Sequence, residues 1–549
     1  MASSPHTLNL PYVATSAAEY LREKTSSTDT TEPVQKPETK TYPAESQPVE
    51  CARRVIVVLH SGSAAHTGVD AENDSDKASA MPLLESFSAP DIRSARNVDR
   101  LIAKFTASES RGRGSILDPA LPSFELNGPE LAAGNEWDAL LSSFWGIPQE
   151  RSLSIGEVSN IDPEMYLIAS RRLVEYLAGV DSTQHGFDMG QLHTFFAVEN
   201  VQQCVAAYFQ NVHPRAPIVY LPGLDLELAS IPLLLPMVLL GAVCGQSDEL
   251  ASLAAAFCDI GEESVFESEI FQDMVYSPQQ AGYAHDNISD AGIQCIQGAL
   301  CMILIQKSTP DLRTQRRIRV QRFPALISAV RASCLTRARH REVTGGGLGW
   351  DTFIREEVCC RVMSFICVLD NYFVMFCNQP PCLQPMELSF QLPIESRTVD
   401  IMSDSSIRGL EVLKDLRQPP VLNELTQRMF SNKWQDDPTL MSNLGVFDMY
   451  ILACAFHPIV FSYQSSPAYA NTLSTLETAL NRWEALWEKL RSSYWSSDEM
   501  SRADIMMFAP EIVSLAKAYL HIPISKRGGI ARDFALDLRR ILKGAGKPL

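Results

Sequence analysis

From residue 161 onward, apolar positions recur at intervals of three and four, the spacing that lines one face of an α-helix. "IDPEMYLIASRRLVEYLAG" (161–179) opens with Asp162 as an N-cap and Pro163 in the first turn, and closes on Gly179. Met165, Leu167, Ile168, Leu173, Tyr176 and Leu177 form its predicted apolar face. A second helix is predicted over 192–212, with Val198, Val201, Val205, Tyr208 and Val212 in register. Further helices are expected in "PLLLPMVLLGAVCGQ" (232–246), "ASLAAAFCDIGEESVFESEIF" (251–271) and "AGIQCIQGALCMILIQKS" (291–308). Near the end, 473–493 sets Leu473, Leu476, Leu480, Trp483, Trp487 and Leu490 in one stripe, and helices over 511–522 and 533–544 follow. Strand-like alternation is scarce and no repeat of 20 to 50 residues is visible, so residues 156–545 are expected to form one all-α domain.

The first 155 residues have a different pattern. Residues 24–50 are rich in Ser, Thr, Pro, Glu and Lys with almost nothing to bury, the composition of a disordered segment. "RRVIVVLH" (53–60) is a short strand-like exception, while 99–105 and 135–147 mix apolar and acidic residues as short helices or interaction motifs do. The predicted organisation is therefore a mostly disordered region, 1–155, before the helical domain.

A net charge of −18 over 549 residues excludes a chain that binds nucleic acid through its overall charge. The longest apolar run, 231–245, is too short to span a bilayer and holds Pro232 and Pro236, so no membrane association is expected. Twelve of the thirteen Cys lie between Cys204 and Cys454, mostly inside apolar runs, with no secretory leader ahead of them, a pattern of free thiols in a reducing compartment. Cys377 and Cys382 have a zinc-like spacing, but no second pair follows at a suitable distance, and Cys359, Cys360 and Cys367 read as small buried apolar residues. His60 and His66 have the spacing of half a zinc finger without the Cys pair that completes one, so no metal is expected in this chain. "TGGGLGW" (344–350) lacks the Gly-Lys-Ser/Thr ending of a phosphate loop and reads as an inter-helix loop. No nucleophile elbow or metalloprotease motif is present, and no catalytic residue is assigned; the chain is not expected to be an enzyme. The basic run 313–341 carries nine Arg. Arg313, Arg316, Arg317, Arg319 and Arg322 form either a nuclear import or phosphate-facing patch, or a helix surface paired with carboxylates elsewhere.

Two stretches resemble the fungal-specific transcription factor domain, the regulatory "middle homology" region that accompanies zinc-based DNA-binding motifs. In "VAAYFQNVHPRAPIVYLPGL" (205–224) and the apolar run after it, Tyr208, Phe209, His213, Pro214, Pro217, Ile218, Gly241 and Ala242 follow the family order. In 350–393, Trp350, Glu357, Arg361, Asp370, Pro380, Pro381, Leu392 and Pro393 do the same. Glu357 and Arg361 stand four apart on one helix, with Asp370 expected near the same face and the two prolines ending the helix. The family's usual second Arg is Cys360 here, and Met363 and Ser364 replace aromatic residues, which weakens the expected ion network. The resemblance implies a nuclear regulator of metabolic or biosynthetic-cluster genes, with DNA, transcription machinery, partner factors or a dimer mate as partners. Family members bind zinc in a separate motif. With a single Cys before residue 204, that motif does not occur here. Either a DNA-binding segment lies outside this chain, or the protein works as a co-regulator through a partner. An α-helical enzyme with a site invisible in sequence is the third reading.

Overall fold

The computed structural model describes residues 161–180, 187–276, 288–307, 309, 311–341, 350–394, 419–431, 444–466, 472–497, 500 and 503–527, all within one unit, Lys77–Leu549. The predicted disordered region, the strand at 53–60, the segments at 99–105 and 135–147, His60 and His66, the glycines of 344–349 and the helix at 533–544 lie outside these residues.

Every regular element among the described residues is helical, and the pairing of extended backbone there is one antiparallel bridge, Gln391 with Val421. Helix α1 (Pro163–Ala178) starts where Asp162 accepts the Glu164 N–H at 3.0 Å. Its buried stripe is Tyr166, Ala169, Leu173 and Leu177, whereas the predicted Leu167 is 46% and Tyr176 36% exposed. The helix is rotated from the predicted face because Tyr166 occupies the core position that Leu167 was expected to take.

The predicted helix 192–212 is broken. α2 (Met189–Phe195) and α3 (Val198–Ala207) are separated at Phe196 and Ala197. Phe195 and Phe196 are both buried against Phe257, and neighbouring residues of one straight helix, about 100° apart, do not share a face. After α3 the chain widens into a π-turn, Tyr208–Val212. The predicted helix 251–271 is likewise three: α5 (Asp248–Ala255), α6 (Cys258–Phe266) and α7 (Glu269–Tyr276).

Helix α4 (Ile231–Cys244), just before these, is nearly all buried and packs between α3 and α8 (Asp290–Gln306). Two glycines permit this. A Cβ on Gly241 would sit 2.0 Å from the Cys204 carbonyl oxygen, and one on Gly298 would sit 1.7 Å from that of Pro232. Pro236 has no N–H, so the Pro232 carbonyl lacks its usual helical donor, and Gly298 approaches at that bare oxygen.

The basic run folds as α9 (Leu312–Arg317), a π-turn (Ile318–Arg322) and α10 (Phe323–Ala332). The second half is built on α11 (Trp350–Phe376), which packs on α8 and on α13 (Val446–Ser465). α12 (Leu422–Phe430), α14 (Leu473–Ser493) and α15 (Ala509–His521) complete it, with α14 matching the predicted bounds. α11 and α13 are long and apolar enough to cross a membrane, yet most of each is buried among other helices.

Candidate functional site

Glu357 and Arg361 meet as their spacing predicts: Arg361 Nε donates to Glu357 Oε1 at 2.7 Å, with both side chains buried. The second donor to this carboxylate comes from outside the helix. His340 Nε2 lies 2.9 Å from Glu357 Oε2, and the Ile394 backbone N–H reaches the same oxygen at 3.2 Å. The His340 backbone N–H donates to Gln391 Oε1 at 2.7 Å, and its ring stacks on Phe353, 5.2 Å away. Trp350, the first residue of α11, lies against Phe353 at 5.6 Å. One carboxylate thus ties three segments: α11, the chain around residue 340, and residues 391–394. Burial alone would raise the Glu357 carboxyl, but Arg361 and the His340 hydrogen bond hold it below its ordinary value.

Asp370 stands away from this network. Nine residues beyond Arg361 is half a turn out of phase on a helix. Its two oxygens accept the backbone N–H groups of Cys382 and Leu383 at 3.0 and 2.9 Å. Burial pushes its carboxyl up to about 6, against the pull of those two N–H groups. The prolines also have a different place. α11 ends at Phe376, where Asn378 turns left-handed at φ 49° and the Gln379 N–H returns to the Phe373 carbonyl at 3.1 Å. This left-handed turn closes the helix, with Pro380 and Pro381 following it.

In the other stretch, Tyr208 and Phe209 are fully buried and edge-to-face at 5.1 Å, and His213 packs on Phe209 at 5.3 Å. Pro217 leads into Ile218, whose carbonyl accepts Gln297 Nε2 of α8 at 2.6 Å. The π-turn places Gln210 and Asn211 on the wall of a cleft of about 310 Å³. Gln203, Gln246 and Ser247 line it too, together with Gly241, Ala242 and Gly245. Asn211 Nδ2 donates across to the Cys244 carbonyl at 2.8 Å. The reading from sequence missed this cleft and His340; the cluster of carboxamides in "VQQC", "YFQNV" and "CGQS" was the available signal.

Four of the nine arginines of the basic run are engaged by close carboxylates. Arg317 pairs with Asp259 at 2.7 Å and Glu262 at 2.8 Å, and Arg322 pairs with Glu262 at 2.5 Å and Glu267 at 2.7 Å. Arg331 pairs with Glu387 at 2.7 Å and Arg341 with Glu356 at 2.9 Å. Arg319 is buried, and only Arg313 and Arg316 of the five singled out are exposed. Of the five, Arg317 and Arg322 are thus paired with carboxylates, while Arg313 and Arg316 lie on the surface.

The described cysteines are free thiols. Cys359, Cys360 and Cys367 are buried in α11 and burial drives their thiols up, Cys359 to about 12. Cys382, half-buried, also reaches about 12 through burial and the nearby Asp370. Among the described residues no three or more of His, Cys, Asp and Glu are grouped as metal ligands.

No family model matches the chain, and no solved structure matches it. The chain is similar to a protein named transcription factor verF from Penicillium polonicum, 26% identical over 310 residues. The aligned part covers 55% of this chain and 42% of that relative, so the chain spans less than half of the relative's length.

Proposed function

We propose that this protein is a transcription regulator whose helical domain is a regulatory platform. The observation that carries the reading is the similarity to a protein named as a transcription factor over more than half of the chain. The order of Tyr208, Phe209, His213 and Gly241, then Trp350, Glu357, Arg361 and Asp370, within an all-helical domain supports membership of the fungal middle-homology type. Regulation of metabolic or biosynthetic genes in the nucleus follows from that reading.

A specific observation favours action through a partner. Four of the nine Arg of the run, Arg317, Arg322, Arg331 and Arg341, are engaged by Asp259, Glu262, Glu267, Glu356 and Glu387 and so are drawn away from phosphates. The domain on this reading receives signals or binds other regulators, and DNA is read elsewhere.

The test is to tether the full chain to a heterologous DNA-binding domain upstream of a reporter in a filamentous fungus. A changed reporter output, up or down, is expected; output equal to the tether alone would overturn the proposal. Fluorescence anisotropy of the untethered chain on a random duplex pool at two salt concentrations separates direct from partner-mediated contact. Salt-sensitive binding with an enriched sequence would assign DNA reading to the chain itself.

A further inference from the structure

Several buried or half-buried cations of the domain face carboxylates. Arg361 has Glu357, Arg317 and Arg322 share Glu262, and Lys517 reaches Glu484 at 2.6 Å. Arg527 does not. It is 1% exposed, and its contacts among the described residues are to an amide, a backbone carbonyl and two aromatic rings, with no carboxylate. Its Nη2 donates to Gln464 Oε1 at 2.7 Å and to the Tyr519 carbonyl at 3.3 Å. The guanidinium lies over the Tyr519 ring at 4.6 Å and near Phe461 at 5.6 Å. Nε and Nη1 are enclosed and have no acceptor. Those two nitrogens carry three N–H bonds on a group that does not shed its proton in proteins.

The surroundings repeat the mismatch. His457, Phe461 and Gln464 lie at spacings of four and three on one face of α13, opposite Tyr519 of α15. His457 Nε2 donates to the Ile512 carbonyl at 3.1 Å, while its Nδ1 is buried without a partner. Burial, with Arg527 nearby, holds the imidazole down to about 3, so Arg527 finds a neutral ring there and no counter-charge. Arg527 follows a short turn, Ile524–Lys526, held to the turn after α11 by Asn378 Nδ2 on the Ile524 carbonyl at 2.9 Å.

We infer that residues 523–527 form a reversible strap over the seam between α13 and α15, with Arg527 as its bolt. The aromatic faces and Gln464 seat the bolt, but three N–H groups gain partners only when it lifts into water, so the seated state is held loosely by construction. Lifting exposes the ring faces of Phe461 and Tyr519 and frees Gln464, while α13 and α15 stay packed through their own contacts.

Arg527→Met in the full chain keeps an unbranched apolar stem and removes the guanidinium with its unmatched charge. The expected result is a Tm higher by about 2 °C, with amide exchange across 522–526 about tenfold slower than in the wild type. A lower Tm, failure to fold, or unchanged or faster exchange would overturn the inference, because Arg527 would then be a net tie. A second measurement uses the wild-type chain alone. Tryptic cleavage after Lys526 is expected from a local opening, at a rate nearly independent of low urea; cleavage that tracks global unfolding would also overturn it.

Discussion

Glu357 shows how much one side chain holds together. Its two oxygens accept from Arg361, His340 and the Ile394 backbone, all in a buried setting. Removing it takes the buried carboxylate away from a guanidinium and an imidazole together, the condition under which breaking a buried pair is costly. Glu357→Ala is expected to lose about 3–5 kcal/mol of stability, read as a lower urea midpoint. Unchanged stability would mean that the network does not set the register of α11. The helical half of this network was legible, because a Glu and an Arg four apart face each other on any helix. His340 was not, because its contact with Glu357 spans a connection whose path only the tertiary structure sets.

Among the elements, helix existence read well and helix continuity read poorly. Both over-long predictions, 192–212 and 251–271, have unbroken apolar periodicity, and nothing in a one-dimensional pattern marks a bend. The bends come from where Phe195, Phe196 and Phe257 have to meet. The glycines of α4 and α8 are a related case. Composition marks them as weak helix formers, yet they are what lets three helices close up. Gly241→Ala and Gly298→Ala place a methyl carbon on a backbone carbonyl that has little room to move, so each is expected to cost about 1–3 kcal/mol or more by overpacking. Thermal melts of the two variants check this; wild-type stability in either would mean the helices separate more freely than their contacts indicate.

On the scale of the whole molecule, stability should depend on pH through Asp370. Its carboxyl lies near 6 when folded, against an ordinary 3.8, so between about pH 4 and 6 the folded chain holds a proton that the unfolded chain has released. That contribution is complete below this window and is lost as pH rises through it, in all about 3 kcal/mol. Glu357 acts in the opposite sense: its lowered carboxyl supports the fold above the unfolded value and withdraws that support as pH falls through the folded one. Comparing urea midpoints of the wild type and Asp370→Asn across pH 4–7 isolates the Asp370 part. The variant should lose the decline between pH 4 and 6, and parallel curves would remove Asp370 from the account.

The chain's own pattern determined the helical class, the N-cap at Asp162, the stripe of Trp483 and Trp487, the buried character of the α11 cysteines and the Glu357–Arg361 pair. Each depends on neighbours within one or two turns, where backbone geometry alone sets which side chains meet. Only the tertiary structure decided that Arg317, Arg322, Arg331 and Arg341 face carboxylates of α6, α11 and the 387 turn, that Asp370 holds residues 382–383, and that Arg527 is buried without a counter-charge among the described residues. Those outcomes rest on contacts between residues far apart in the chain. A charge's fate there depends on which distant group the packing of the helices brings within reach.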